Sequence, residues 1–236
     1  MSPYLAEIIG TAFLIVLGDG VVASVILNKS KGNQGGWIVI TLGWGMAVFV
    51  GVYATAKYSG AHLNPAVTFS QALQGKFPWE QVPGYIAAQV AGAMLGALLV
   101  WFCYKQHFDA TTDADTKLGV FCTIPAIRNS KYNFLTEFLA TLVFILALCF
   151  ITGPTVGLGA LDALPAGLVV LAIGLSLGGP TGYAINPARD FGPRLMHFLL
   201  PIPGKRDSDW SYAWIPILGP LTGAAAAALL YKYCLQ

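Results

Sequence analysis

The stretch Ser59-Gly-Ala-His-Leu-Asn-Pro-Ala66 returns later in the chain as Thr181-Gly-Tyr-Ala-Ile-Asn-Pro-Ala188. The two copies are offset by 122 residues and share a glycine and an Asn-Pro-Ala triplet in register. A second pair of segments, Glu7-Ile-Ile-Gly-Thr-Ala-Phe-Leu14 and Glu137-Phe-Leu-Ala-Thr-Leu-Val-Phe144, recurs in the same order at an offset of 130 residues. Two different markers repeated in one order indicate an internal duplication of the chain.

Composition places this duplicated chain in a lipid bilayer. Hydrophobic residues make up 56% of it and charged residues only 10%, whereas soluble domains carry about 25% charged residues. A spanning helix needs about 20 mainly apolar residues, and six stretches qualify. They are Tyr4 to Leu27, Trp37 to Ala56, Tyr85 to Tyr104, Phe134 to Ile151, Leu164 to Leu177 and Tyr212 to Tyr231. The fifth is short and rich in glycine, so its ends are the least sharply defined.

The six predicted spans divide equally between the two copies. A third, weaker marker, Gln89-Val-Ala-Gly-Ala93 and Pro220-Leu-Thr-Gly-Ala224, falls in the third and sixth spans. Each half therefore holds three spans. Because three is an odd number, the second half enters the membrane upside down relative to the first. Inverted repeats of this kind are a transport architecture.

Each Asn-Pro pair predicts the start of a short helix. Asparagine is favoured just before a helix, and the fixed φ of proline suits the first helical turn. The apolar residues that follow, Ala66 to Leu73 and Ala188 to Leu200, are too few to cross the ~30 Å hydrocarbon core at about 1.5 Å per residue. We therefore expect two half-helices that enter from opposite faces, with Asn64 and Asn186 facing each other near the middle. Non-helical backbone at that depth implies a polar lumen.

With these motifs the chain resembles the aquaporins, and within them the glycerol facilitators or aquaglyceroporins. The resemblance covers essentially the whole chain and is most specific in Ser59 to Val67 and Gly178 to Pro193. An acid directly after the arginine, here Asp190 after Arg189, resembles the pattern of the glycerol branch, since water-selective members usually lack an acid there. The resemblance implies an all-α membrane protein with six transmembrane helices plus two re-entrant half-helices in two inverted repeats. It also implies a homotetramer with one pore per subunit, cytoplasmic termini and a constriction nearer the outer face.

The resemblance assigns the selectivity filter to four residues: Trp44, Gly174, Tyr183 and Arg189. Trp44 and Tyr183 would form an apolar wall for the carbon side of a polyol, and Arg189 a fixed fork of donors for its hydroxyl oxygens. Water-selective members usually have histidine where Gly174 stands, so the glycine predicts a wide filter. Many glycerol facilitators have phenylalanine at the Tyr183 position, so the phenol hydroxyl predicts one more polar contact.

Below the filter, the resemblance implies a ladder of hydrogen-bonding groups. The pore motifs, with the two asparagine amides as central donors, are Asn64, Pro65, Ala66, Asn186, Pro187 and Ala188. The expected carbonyl acceptors belong to Gly60, Ala61, His62, Leu63, Gly182, Tyr183 and Ala184. Ions should be excluded, because their desolvation is not compensated there and because Arg189 and two positive helix ends oppose cations. The same field should interrupt a proton wire.

Glu7 and Glu137 are acids inside predicted spans, and such acids suggest a function by default. Their matching positions in the repeat, close to loops with unpaired backbone, favour a structural role in which each carboxylate hydrogen-bonds a re-entrant loop. Asp190 is assigned a similar supporting role. His62 could titrate or gate, but its position in the loop before Asn64 favours a hydrogen-bonding scaffold.

The predicted function is the passive passage of glycerol and other small neutral solutes, with water as a co-permeant. Protonated lactic acid, dihydroxyacetone, urea, hydrogen peroxide and water stay open as the main solute. The rival class is a proton-coupled secondary transporter, but apart from Glu7 and Glu137 the spans offer no titratable relay. No nucleophile, base and orienting group can be nominated together, so neither an enzyme nor a cofactor is expected. The cysteines lack metal-ligand spacing, and no basic stripe predicts a nucleic-acid partner.

Charge distribution and family resemblance predict opposite orientations in the membrane. The lysines and arginines concentrate in loops that the family topology places outside, which opposes the positive-inside rule. We accept the family topology, since the repeat motifs are more specific than a count of lysines. We expect one channel domain, 1–236, with repeats 1–105 and 131–236 joined by the outer loop 105–131. The predicted location is the cell membrane, and the near absence of cytoplasmic tails suits a bacterial inner membrane.

Overall fold

A computed structural model describes residues 1–151 and 157–235. The predicted second repeat, 131–236, therefore includes a few positions that lie outside the described residues. The α-helices of the described part are α1 (Pro3–Ile26), α2 (Trp37–Ser59), α3 (Pro65–Leu73), α4 (Val82–Ala110), α5 (Ala114–Phe121), α6 (Ser130–Phe150), α7 (Leu164–Leu177), α8 (Pro187–Leu199) and α9 (Ile215–Leu230). Across these two ranges the chain contains no β-strand.

The predicted fold class is confirmed. Within the described residues, six helices are long and apolar enough to cross a membrane: α1, α2 and α6; α4 and α7, each with the turn before it; and α9 with the turn after it. Helices α3 and α8, nine and 13 residues long, are the two half-helices. Each begins at the proline of its Asn-Pro pair, as the sequence predicts.

The largest departure from the predicted spans is in α4. The helix begins at Val82, continues beyond the predicted end at Tyr104, and stops only at Ala110. Tyr104 is where the helix kinks, with φ −107° and ψ 15°. The segment 105–131, expected as a loop, is thus partly helical, since α5 follows after three residues. The side chain of Asp113 caps α5 by accepting a hydrogen bond from the third helical amide.

The helices pack as two equivalent halves that interlock. Helix α1 packs against α2 and α4, and α6 packs against α7 and α9. The half-helices cross between the halves, because α3 packs against α9 and α8 packs against α4. Contact between α2 and α7 joins the halves on another side. Each half-helix is therefore held by spans from both repeats, which brings the two Asn-Pro-Ala motifs together in the centre.

Two glycines at equivalent positions allow the closest helix contacts. A Cβ atom at Gly92 of α4 would overlap the carbonyl oxygen of Ile8 in α1. A Cβ atom at Gly223 of α9 would overlap the carbonyl oxygen of Phe138 in α6. Small residues at such crossings let membrane helices approach at the level of the backbone. The same contact thus occurs once in each repeat.

Candidate pore and selectivity filter

A cavity of about 460 Å³ lies where the loops preceding α3 and α8 meet. Its lining combines loop residues of both repeats with apolar side chains such as Val48, Phe144 and Val170, and includes Gln71 and Asp162. The predicted site residues along the cavity are Trp44, Gly60, Ala61, His62, Leu63, Asn64, Tyr183, Ala184, Asn186 and Arg189. The cavity therefore offers both polar backbone groups and apolar side chains to a solute.

The two asparagines join the half-helices across the centre of the molecule. The side-chain oxygen of Asn64 accepts from the Ala66 amide at 2.8 Å, and that of Asn186 from the Ala188 amide at 3.0 Å. Each side-chain nitrogen donates to the opposite repeat: Asn64 Nδ2 to the Ile185 carbonyl and Asn186 Nδ2 to the Leu63 carbonyl, both at 2.8 Å. The prolines and alanines of both motifs are buried at the helix starts behind these side chains.

These cross-links change the predicted ladder of donors and acceptors. The Leu63 carbonyl, expected to face a solute, already accepts one hydrogen bond from Asn186, so one of its two lone pairs is left for the cavity that Leu63 helps to line. Each asparagine amide has two N–H groups, and one of them is used in the cross-link, so only the second is available to the cavity. Gly182, expected to contribute a carbonyl, is not among the described cavity-lining residues. Gly182 instead packs near Thr123. A Cβ atom added at Gly182 would lie 3.2 Å from Thr123 Cγ2.

The loops before both half-helices adopt unusual backbone conformations. Ala61 and Leu63 have φ of 49° and 51°, and Tyr183 and Ile185 have φ of 39° and 42°. Such left-handed conformations cost roughly 1–2 kcal/mol each for residues other than glycine. Left-handed residues at alternate positions keep the chain extended and leave its amides without the regular partners of a helix. The strain and the unpaired amides both require support from elsewhere.

That support comes from Glu7 and Glu137, which are fully buried. Glu7 accepts from the amides of His62 at 2.9 Å and Leu63 at 2.7 Å. Glu137 accepts from the amides of Ala184 at 2.9 Å and Ile185 at 3.0 Å, the equivalent positions in the second repeat. Charged acceptors make hydrogen bonds roughly twice as strong as neutral ones. Each carboxylate thus holds one re-entrant loop in its strained form.

The two carboxylates differ in one partner. Gln89 of α4 donates from Nε2 to Glu7 at 2.8 Å and to the Thr68 hydroxyl at 2.9 Å. The equivalent position in α9 is Pro220, which has no side-chain donor. Glu7 therefore accepts four hydrogen bonds, the fourth from the Ser59 hydroxyl. Glu137 accepts three, including one from the Thr181 hydroxyl.

Arg189 is buried at the start of α8, where it lines the cavity. Its guanidinium carbon lies 4.1 Å from the centre of the Trp44 ring, a cation–π distance. Its Nη1 donates to the Phe121 carbonyl at 3.4 Å, and lies 3.6 Å from a carboxyl oxygen of Asp19. Helices α1, α2, α5 and α8 therefore meet around this guanidinium.

The sequence predicted open space beside Gly174. In the structure the ring of Tyr183 fills this space. A Cβ atom at Gly174 would lie 2.8 Å from Tyr183 Cζ and 2.9 Å from Thr41 Cγ2. Gly174 is absent from the described cavity lining, whereas Tyr183 forms part of it. The phenol hydroxyl is buried without a hydrogen-bond partner among the described residues. The expected polar contact with a solute is therefore not available, and Tyr183 contributes an apolar ring face.

Asp190, the residue after Arg189 in α8, is held by its own set of buried hydrogen bonds. Its carboxylate accepts from the Thr123 amide at 2.8 Å and from Arg194 Nε at 2.7 Å. Arg194 is fully buried and donates further to the carbonyls of Ser208, Asp209 and Thr123. Sequence reasoning missed Arg194, although its spacing of four residues from Asp190 on one helix face was a usable signal.

The loop between α8 and α9, whose Ser208 and Asp209 carbonyls bind Arg194, lies at the same end of the molecule as Asp190. Arg128 makes a two-atom ion pair with Asp209. Burial alone would raise the pKa of Asp209, but the hydrogen bonds and charge of Arg128, together with the Ser211 hydrogen bond and the charge of Arg194, outweigh burial and hold that pKa below its usual value. Lys205 donates to the carbonyls of His197, Phe198 and Leu200 at 2.6 to 2.7 Å, and so caps the C-terminal end of α8. Burial lowers the pKa of this lysine.

Two half-helices that meet end to end around a half-polar cavity, inside six spanning helices, define a membrane pore. Residues 1–231 match the family description "Major intrinsic protein". The chain belongs to the major intrinsic protein family.

Named relatives and a solved structure are similar to the chain along its length. It is 58% identical to the probable glycerol uptake facilitator protein of Thermotoga maritima, over 99% of each chain. It is 40% identical to the D/L-lactic acid transporter of Lactiplantibacillus plantarum, over 95% of this chain and 94% of that protein. The X-ray structure of the aquaglyceroporin from Plasmodium falciparum superposes with a TM-score of 0.86 at 30% identity, covering 98% of this chain and 95% of that one.

Proposed function

We propose that this protein is a passive channel for glycerol and other small neutral solutes, with water as a co-permeant. The observation that carries the proposal is the constriction, where the donor fork of Arg189 stands beside the aromatic rings of Trp44 and Tyr183. Glycerol has hydroxyl groups along one edge and carbon atoms along the other. A solute of this shape can place its oxygens toward the guanidinium and its carbons against the rings.

Below the constriction, the same division supports the same class of solute. The strained loops offer polar backbone groups and the second N–H of each asparagine, and Val48, Phe144 and Val170 supply apolar surface to the same cavity. A neutral hydroxylated solute exchanges its water shell for these groups at little net cost. An ion loses a far larger hydration energy, which these polar groups do not replace.

The two half-helices add an electrostatic barrier at the centre. Their N-termini meet at Asn64 and Asn186, and each helix N-terminus carries roughly half a positive charge. These two helix ends oppose cations. We further propose that they orient the central waters in opposite directions and so prevent proton transfer along the pore.

Protonated lactic acid is the second candidate solute, because the relative named as a D/L-lactic acid transporter is 40% identical. Lactic acid resembles glycerol in size and in its row of oxygens. The polar and apolar groups described above accommodate both. The same reasoning leaves dihydroxyacetone, urea and hydrogen peroxide as further solutes, to be ranked by flux.

The six spanning helices and the family place the chain in a membrane as a multi-pass protein. We propose the cell membrane as its location, with both termini cytoplasmic, in line with the bacterial source of the named glycerol and lactic acid relatives. The lipid-facing side chains include exposed residues such as Leu42, Leu139 and Leu168. We propose that part of this surface packs between subunits of a homotetramer with one pore in each.

Stopped-flow light scattering of liposomes tests the proposed function. Vesicles containing the channel should re-swell quickly in glycerol and in lactic acid at low pH, but not in sucrose. Gly174→His should abolish glycerol re-swelling, because any side chain there must displace the Tyr183 ring. Gly179→His is the matched control, since a Cβ at Gly179 meets no atom within 4 Å. Fast water flow without glycerol influx in the wild type would refute the polyol assignment.

A further inference from the structure

Asp19 of α1 is fully buried, and neither of its carboxyl oxygens has a hydrogen-bond partner among the described residues. Burying a charged carboxylate is strongly unfavourable unless an opposite charge compensates it. Arg189 supplies that charge, with Nη1 at 3.6 Å from Asp19 Oδ1. This distance is too long for a good hydrogen bond, so the two groups interact chiefly through their charges.

The repeat indicates that Asp19 serves the filter and not the scaffold. The scaffold acids Glu7 and Glu137 occupy equivalent positions in the two halves. At the same offset of 130 residues, Asp19 corresponds to Cys149. At the loop offset of 122 residues, Arg189 corresponds to Val67. Asp19 belongs to the first half and Arg189 to the second, and each is replaced by an uncharged residue at the equivalent position of the other half.

The neighbours of Asp19 hold the guanidinium in place. Gly18, the preceding residue, has no Cβ, and a Cβ there would overlap the ring of Trp44. The Trp44 ring in turn lies 4.1 Å from the Arg189 guanidinium. The other acid near the filter, Asp190, is already bound by Thr123 and Arg194. Asp19 is thus the carboxylate left to offset the charge of Arg189.

We propose that Asp19 is a positioning residue that sets the charge of the selectivity filter through Arg189. Its carboxylate holds the guanidinium against α1 and offsets its positive charge. The constriction then offers hydrogen-bond donors to neutral solutes without becoming a binding site for small anions. This assignment rests on the proposed pore function and adds to it a determinant of specificity against anions.

Inhibition of glycerol flux by nitrate tests the assignment. Liposomes are assayed by stopped flow while potassium nitrate replaces potassium gluconate at constant ionic strength. Asp19→Asn keeps the shape of the side chain but leaves the charge of Arg189 uncompensated. Nitrate should then inhibit at a concentration at least about tenfold lower than in the wild type, because a unit charge this close to a buried site changes binding by more than one power of ten.

Two controls separate a filter effect from a general one. Asp115→Asn removes a carboxylate from an exposed ion pair with Arg206 at the same end of the molecule, and its nitrate sensitivity should equal that of the wild type. In an Arg189→Val background, Asp19→Asn should have no effect on nitrate sensitivity. Unchanged inhibition in Asp19→Asn, or an effect that persists without Arg189, would overturn the proposal.

Assembly is checked by size-exclusion chromatography, and Asp19→Ser provides a second neutral variant with the same expected nitrate sensitivity. If both neutral variants fail to assemble while Asp19→Glu assembles, the carboxylate acts on folding and the proposal is overturned. If the wild type conducts water but not glycerol, the proposed solute is wrong. Nitrate inhibition of water flux then still measures the effect of Asp19 on Arg189, so the two failures are distinguishable.

Discussion

Replacing Glu137 with glutamine should weaken the second re-entrant loop more than the same change at Glu7 weakens the first. In Glu137→Gln, one carboxylate oxygen becomes an NH₂ group. The remaining oxygen can still accept from the Thr181 hydroxyl and the Ala184 amide, but the Ile185 amide then faces a donor. A buried amide without a partner costs about 1–3 kcal/mol. Loss of the charge weakens the other two bonds, so the total is roughly 2–4 kcal/mol.

Glu7→Gln should be less severe because of Gln89. The side-chain oxygen of Gln89 is buried without a partner, so a rotation of its amide can present that oxygen to the new NH₂ group. The Leu63 amide still loses its acceptor, and the rotation turns Gln89 Nε2 away from the Thr68 hydroxyl, which can donate to the rotated oxygen instead. The new NH₂ group is then satisfied by Gln89, and this one hydrogen bond, worth about 0.5–1.5 kcal/mol, is the advantage over Glu137→Gln. Pro220 at the equivalent position of the second repeat offers no such rearrangement.

The two variants are compared by thermal unfolding of the purified protein in one detergent and by glycerol flux in liposomes. Both should unfold at lower temperature than the wild type, with the larger shift in Glu137→Gln. Glycerol flux should fall in the same order, because the strained loops carry the pore wall. An equal or larger shift in Glu7→Gln would refute the assigned roles of Gln89 and Pro220. A Glu7→Gln, Gln89→Leu double variant should remove the advantage of Glu7→Gln.

Three further changes test separate features of the structure. Tyr183→Phe removes a buried hydroxyl that has no described partner, so glycerol flux should be unchanged and the unfolding temperature equal or slightly higher. Gly223→Ala should destabilise the protein by about 1–3 kcal/mol, because its Cβ overlaps a carbonyl of α6; Gly20→Ala, where a Cβ meets nothing within 4 Å, should not destabilise it. The pKa of Asp209 is depressed in the folded protein, so its pairing with Arg128 stabilises above the unfolded pKa of about 3.9 and is lost as pH falls through the folded value. Asp209→Asn should therefore unfold at lower temperature than the wild type at neutral pH, and the difference should disappear in acid; a constant difference across pH would contradict the ion pair.

The repeated motifs were sufficient to predict the architecture, because membrane folds are restricted by simple rules. Apolar runs of sufficient length must be helices, since the backbone has no water to bind in lipid. Three spans in each copy require inversion, and two Asn-Pro pairs in repeat register, each followed by a short apolar run, indicate two helix starts. The interpretation of Glu7 and Glu137 as loop supports followed from the same symmetry, and the structure places both beneath the loops. These inferences need only the order and period of residues.

The details of the filter depended on packing between segments far apart in the chain. Whether Gly174 leaves open space depends on the direction of the Tyr183 ring, which is set by neighbours from other helices. The cross-links between Asn64 and Asn186 join residues of different repeats. Asp19 comes beside Arg189 only when α1 packs in the folded molecule. Sequence period places a residue on a face of its own helix, but side-chain packing and pairing of charges between helices are properties of the assembled tertiary structure.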